Sequence, residues 1–327
     1  MKWKGDSCKM KKEHSVVVLE NRKQKSLWQR FTYAVYQHKY LYLLLIPGLI
    51  YFILFAYMPM YGVIIAFREF SYRNPFGGEW VGLQYFKEMM DDAQFWKAFR
   101  NTLEISFGRL IFEFPFPIIL ALALNELRGT KFKRIAQTVF TFPHFLSWVI
   151  GAGIVTNILA DSGVLNQILS ALGLEKVSIM TNPVLYRPML YITNIWKECG
   201  WSAIMYMAAI ASINPEYYEA AYLDGANRFQ RMWYITVPCI SGTISVLLIM
   251  AVGNACNAGF DQIFNTYNSM VYDVGDILDT YIYRRTFVTG MGFSSSAAQG
   301  LFKSVINLAL LVAANTITKK ISNQGIY

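Results

Sequence analysis

The stretch EYYEAAYLDGANRFQRMWYITVP, Glu216 to Pro238, is a mixed, partly charged segment set between two apolar runs at 188–212 and 239–259. Ile213-Asn214-Pro215, just ahead of it, reads as a helix start, with Asn as cap, Pro at the first helical position and Glu216 in the first turn. Glu219, Ala220 and Ala221 continue the helix with good helix formers. Asp224-Gly225-Ala226-Asn227 interrupts it, because Gly accepts backbone angles closed to other residues and Asp and Asn favour turns. A second short helix is predicted from Arg228 to about Thr236, with Pro238 leading into the next run. The segment reads as helix, turn, helix. Its aromatic residues Tyr217, Tyr218, Tyr222, Trp233 and Tyr234 would equally suit an amphipathic connector resting on lipid headgroups.

What flanks the segment sets the class. The 327 residues are 54% hydrophobic, 16% aromatic and only 16% charged, with a mean hydropathy of +0.30. That is more apolar material than a soluble domain can hide, so an all-α, multispanning membrane protein is predicted. About 20 apolar residues cross a bilayer as a helix. Six runs qualify, at roughly 40–66, 103–125, 135–160, 188–212, 239–259 and 298–318. The second contains Glu104, Arg109 and Glu113, of which the last two share a helical face through their four-residue spacing. An interior ion pair shielded from lipid is the expected role, with a proton or ion site as the alternative.

The net charge of +9 is distributed beside the membrane and does not form a nucleic-acid-binding patch. Residues 1–39 hold ten Lys or Arg against three acids, ELRGTKFKR (126–134) is basic, and Lys319 and Lys320 follow the last run. With six spans these segments share one side, which the positive-inside rule makes cytoplasmic. The opposite connections, 67–102, 161–187 and 260–297, carry most of the remaining acids. Both termini and the Glu216–Pro238 segment are therefore expected in the cytoplasm. Residues 1–39 show no cleavage pattern, so the first run is expected to stay as an anchor.

Cys8, Cys199, Cys239 and Cys256 lack paired or metal-like spacing and read as packing residues. His14, His38 and His144 are scattered, so no metal site is expected. A GxxxxGK[ST] phosphate loop and a GxSxG nucleophile turn are both missing. Any energy the protein uses must come from elsewhere.

Glu219-Ala220-Ala221, three residues, Gly225, nine residues, Ile235, one residue, Val237-Pro238 resembles the EAA loop of permease subunits of binding-protein-dependent ABC importers. Val237 in place of Leu is the one departure. LLLIPGLIYFILFAYMPMYGVIIAFREF, WVGLQYFKEMM, FRNTLEISF, FPHFLSWVIGAGIV and GLFKSVINLALLVAANTITKK extend the resemblance to the carbohydrate-uptake branch. More narrowly they resemble LplB-type permeases for oligosaccharides released from complex polysaccharides. The resemblance implies the type I importer permease fold and an importer of the bacterial cell membrane. It also implies a second, non-identical permease, two ATP-binding subunits and an extracytoplasmic sugar-binding protein, with no cofactor and no ATP hydrolysis in this chain. By position, Glu219 would contact the ATPase, Ala220 and Ala221 would allow close approach, Gly225 would turn the chain, Asp224 would stabilise the turn and Pro238 would close the motif.

The implied organisation is a basic segment 1–39, a lead span 40–66, an extracytoplasmic connection 67–102, a five-helix core 103–318 containing the coupling loop 213–238, and a tail 319–327. Trp80 to Phe86 would pack on the outer leaflet or meet a binding protein. On the fourth run Asn194, Glu198, Trp201 and Met205 follow helical spacing, and Asn254, Asn257 and Asp261 do so on the fifth. Aromatic faces with amides and carboxylates suit sugars, and the same groups also serve as interhelical glue. An uncoupled channel or secondary transporter could use Glu104, Arg109 and Glu113 but leaves the Glu219–Pro238 spacing unexplained. A membrane enzyme would need clustered acids or histidines.

Overall fold

A computed structural model describes residues 36–127, 129–290 and 292–322. The basic segment up to residue 35 and residues 323–327 of the tail lie outside the described residues. The chain divides into two units, Met1–Tyr61 and Gly62–Tyr327. Both are helical, and the β-structure among the described residues is one isolated bridge between Arg68 and Trp80.

In the first unit, the helix Lys39–Phe52 runs on through a wider π-type turn at Ile53–Tyr57 to Met58–Met60. Pro59 accounts for the wide turn, since its ring clashes with the carbonyl four residues back and it has no N–H to give. None of these helical residues is buried. A helix apolar on every side needs lipid or neighbouring helices around it.

The second unit is built around the 29-residue helix Pro183–Ala211. At about 1.5 Å per residue it is roughly 43 Å long. It packs along Pro115–Glu126 and against Thr130–Thr141, while Ser241–Gly253 packs on Phe293–Ser322. Three buried clusters hold these helices together. Ile105, Tyr186, Leu190, Ile263 and Ile277 form one, and Ala121, Leu122, Ala203, Tyr206 and Ile240 another. In the third, Phe95 meets Tyr281 and Phe302 edge-on, a favourable aromatic arrangement.

Among the described residues, four helices can cross a membrane by length and composition: Lys39–Phe67, Ala93–Glu126, Trp148–Ala171 and Phe293–Lys320. Arg228–Cys239 with Ser241–Gly253, bent by 60°, adds a fifth if taken as one span. Pro183–Ala211 is long enough, but Asn194, Lys197 and Glu198 dilute its apolarity. Two of the expected runs are discontinuous. The run at 135–160 breaks after Thr141, where Phe142–Phe145 forms a 3₁₀ turn around Pro143 and Ser147 caps a new helix at Trp148. Helix Ser241–Gly253 ends before the run does, and Ala258 and Gly259 then take left-handed angles, φ 42° and 79°. Asn254, Asn257 and Asp261 therefore do not share one continuous helical face; the first caps a helix and the last lies in Phe260–Thr266.

Next to the helix start at Ala93, Asp92 accepts from the Gln94 amide at 2.8 Å, the Tyr281 hydroxyl at 2.5 Å and Arg285 at 2.7 Å. Burial raises its carboxyl pKa, but the Tyr281 and backbone hydrogen bonds and the Arg285 charge outweigh that and hold it below the usual carboxylate range. Stability from a depressed carboxylate is present above the unfolded value, about pH 4, and is lost as pH falls through the folded one. Melting curves in detergent should accordingly show acid destabilising the wild type more than Asp92→Asn. Parallel pH dependence of the two would reject the contact as a source of stability.

Candidate functional site

The Glu216–Pro238 segment folds as a helical hairpin. Asn214 caps its first helix, Pro215–Leu223, by accepting from the Glu216 amide at 3.1 Å. Gly225 turns the chain at φ 79°, and the Ala226 amide closes back on the Ala221 carbonyl at 2.9 Å. That is the 6→1 closure of a helix ending in a left-handed residue. Asn227 and Gln230 then form a reciprocal capping box, 2.9 and 2.8 Å, that starts Arg228–Arg231. The second helix widens into a π-type turn, Met232–Thr236, ahead of Pro238, as the lead helix does ahead of Pro59. A Tyr218–Thr236 hydroxyl contact of 2.9 Å ties the two arms. Glu219, Ala220, Asp224, Gly225 and Pro238 are exposed and Ala221 is half-buried. Tyr222, Leu223, Phe229 and Tyr234 are each at least 70% exposed, a large apolar surface for a polar loop to show.

The second feature is a cavity of about 450 Å³ between Ala93–Phe112, Pro183–Ala211 and the segment that follows Ser241–Gly253. Asn194, Glu198, Trp201 and Met205 all line it, as their shared helical face requires, and Asn254 and Asn257 line it from the broken fifth run. Asp261 does not; it edges a neighbouring concavity with Asn257. Arg109 and Glu113 also face the cavity. They form an ion pair at 3.3 Å with side chains 15% and 13% exposed. Asn194 donates to Glu113 at 2.6 Å, and Arg109 donates to the buried Gln262 at 2.5 Å. Arg109 Nε has no hydrogen-bond partner among the described residues. Glu104 is taken up by Arg100 at 2.6 Å and Arg187 at 2.5 Å. The charges a channel or secondary transporter would need, Glu104, Arg109 and Glu113, are thus each held in an ion pair.

His144, one of the scattered histidines, has a specific place. Its Nδ1 lies 2.6 Å from Glu198 and its ring stacks on Trp201, centroids 4.4 Å apart and planes 4° apart. The buried Lys197 joins them, bonding Glu198 at 2.8 Å and the His144 carbonyl at 3.0 Å. No signal in FPHFLSW announces this. His144, Gln262 and Lys197 are legible as parts of the site only once the helices are packed.

Apolar spans around a cavity lined by paired charges, amide side chains and one stacked tryptophan describe a membrane transport component. The chain belongs to the family of binding-protein-dependent transport system inner membrane components, which matches residues 113–323, in agreement with the resemblance carried by the Glu219–Pro238 spacing. It is 45% identical over 296 residues to Protein LplB of Bacillus subtilis (strain 168), covering 90% of this chain and 93% of that one. Identity is 40% over 313 residues to the polygalacturonan/rhamnogalacturonan transport system permease protein YteP of the same organism, 95% and 96% covered. Among solved structures it is similar to a chain of the bacterial alginate ABC transporter in complex with alginate pentasaccharide-bound periplasmic protein. That likeness has a TM-score of 0.82 at 38% identity, covering 91% of this chain and all of that one.

Proposed function

We propose that the chain is one of two unlike permease subunits of an ATP-driven importer, forming half of the path for an oligosaccharide derived from a complex polysaccharide. The cavity edged by Trp201 carries the reading: a flat indole beside amide and carboxylate groups is the chemistry that binds a sugar's C–H face and its hydroxyls. The relatives named for polygalacturonan, rhamnogalacturonan and alginate support the substrate class. The remaining parts are a second permease, two ATP-binding subunits on which ATP is hydrolysed, and an extracytoplasmic sugar-binding protein. Charge bias supports a topology with residues 1–39, 126–134, 213–238 and 319–327 in the cytoplasm, a lead span 40–66, an extracytoplasmic connection 67–102 and a five-helix core within 103–318. In that topology Glu219, Ala220, Ala221, Asp224, Gly225 and Pro238 meet the ATPase. Asn194, Glu198, Trp201, Asn254 and Asn257 line the path, with Asp261 beside it in the neighbouring concavity.

Two experiments test this. A cysteine introduced near residue 225 should resist membrane-impermeant reagents added to intact cells, and efficient labelling there overturns the topology. Trp201→Ala should remove a stacking surface, costing about 1–3 kcal/mol of sugar contact. Asn257→Leu should leave a hydroxyl unpaired at a similar penalty, about 1–3 kcal/mol. Both losses should appear in uptake per assembled complex, with the binding protein's own affinity unchanged. If only the quantity of complex falls, these residues are interhelical glue.

A further inference from the structure

Beside the cavity lies a second concavity of about 630 Å³, within the usual range of small-ligand sites. Trp148, Phe260, Tyr283 and Phe287 supply its aromatic wall, and Asp261 and Asp279 its polar one. Asn257 and Gly259 line both spaces, so the two adjoin. Where they adjoin, Ala258 and Gly259 take left-handed angles, and the Arg109 guanidinium passes so close that a Cβ on Gly259 would sit 2.5 Å from Nη2. Glycine takes this left-handed conformation without strain, and a side chain there would have to push the Arg109 guanidinium aside.

The charged residues lining this second space, Asp261 and Asp279, are both acidic. Among the described residues no lysine or arginine lines it. Lys303 reaches Asp279, bonding both carboxylate oxygens at 2.7 and 2.8 Å, and so neutralises it. Lys197 stands 5.5 Å from the Trp148 ring, but its ammonium is committed to Glu198 and the His144 carbonyl. The Asp261 carboxylate has no hydrogen-bond or ion-pair partner among the described residues and is exposed. A free carboxylate can accept from sugar hydroxyls while the aromatic wall takes the C–H face. It repels a sugar that carries a carboxylate of its own, and the nearest cations, Lys303, Lys197 and Arg109, are each already paired with a carboxylate of the chain.

We infer that this second space is a sugar subsite selective for an uncharged residue of the same oligosaccharide whose neighbouring residue occupies the first cavity. The inference rests on the first cavity being the sugar path. Asp261 is its specificity-determining group, and Asn257 is the residue both sugars share.

The test uses the full-length chain assembled with its partner subunits in detergent, titrated with methyl glycosides of glucose, galactose, mannose and rhamnose and with methyl glucuronide and galacturonide. Saturation-transfer NMR reads binding. At least one neutral glycoside should bind saturably and at least about tenfold more tightly than either uronide. Phe287→Ala and Asp261→Asn should each weaken that binding, and Asp261→Lys should shift the preference towards the uronides by a similar factor. Equal or better binding of the uronides by the wild type, or no saturable binding across the panel, overturns the inference. If Trp201→Ala alone abolishes binding while Asp261 and Phe287 variants leave it unchanged, the first cavity stands as the sugar path and the second subsite falls. If none of these variants changes binding or uptake per complex, both readings fall together.

Discussion

Glu113→Gln is expected to cost the protein roughly 3–5 kcal/mol, the usual result of removing one member of a buried ion pair and leaving the other charged. Arg109 and Glu113 are largely buried in a bundle whose outer surface is apolar. Neutralising Glu113 leaves the guanidinium with neutral amide acceptors and no counter-charge, and its Nε already has no partner among the described residues. The loss should show as an earlier melt and a lower yield of assembled complex. Arg109→Met should do the same by stranding the carboxylate against Asn194. Combining the two as Arg109→Met/Glu113→Leu should recover most of the stability, because a well-packed apolar pair replaces a desolvated ionic one. The recovered double variant separates structural from transport roles. If it transports normally per complex, the pair is packing alone; if it assembles yet transports poorly, the pair forms part of the path wall. Single variants that melt like the wild type would mean that water reaches both charges freely.

How much of this can be read from the chain depends on how local each signal is. The hairpin is legible because its caps, its turn and its proline lie within a few residues of what they act on: Asn214 on Glu216, Gly225 beside Ala221, Asn227 on Gln230. The pairing of Arg109 with Glu113 is legible for the same reason, being one helical turn apart. The cavity around them is not. Gln262 comes to Arg109 from 153 residues away, and Glu198 reaches His144 across 54, so their juxtaposition exists only after the helices pack. Hydropathy also conceals breaks inside apolar runs. In NACNAG, Asn254 to Gly259, two amides and a glycine signal a turn, yet the surrounding residues are apolar enough to read as one continuous span. Satisfying its freed backbone groups takes contacts such as the Asn307 side chain accepting from the Cys256 amide at 3.1 Å, which no local pattern reveals.

The hairpin offers the other large effect, because its tip is free within this chain. A Cβ at Gly225 would meet nothing within 4 Å, so Gly225→Val strains only the backbone. A β-branched residue at φ 79° costs about 1–3 kcal/mol and is relieved by unwinding the turn. Glu219 is exposed and has no partner among the described residues, so Glu219→Lys removes no contact from this subunit. Neither substitution touches the three buried clusters, and both variants should insert and assemble in normal amounts. If the hairpin seats in the ATPase, a loosened turn cannot pass on the movement of ATP-driven closure, and a reversed charge opposes docking. Transport and the ATP hydrolysis stimulated by loaded binding protein should then fall together by at least about tenfold, the factor that a loss of about 1.4 kcal/mol gives. Basal ATP hydrolysis by the isolated ATP-binding subunits should not change, which places the defect at the contact between subunits. Tyr222→Ala, at a residue 70% exposed on the same hairpin, should weaken assembly instead, since it removes apolar surface that a partner would cover. Normal coupling in both tip variants would take the hairpin out of the mechanism, and its exposed aromatic residues would then have lipid headgroups as their natural neighbour.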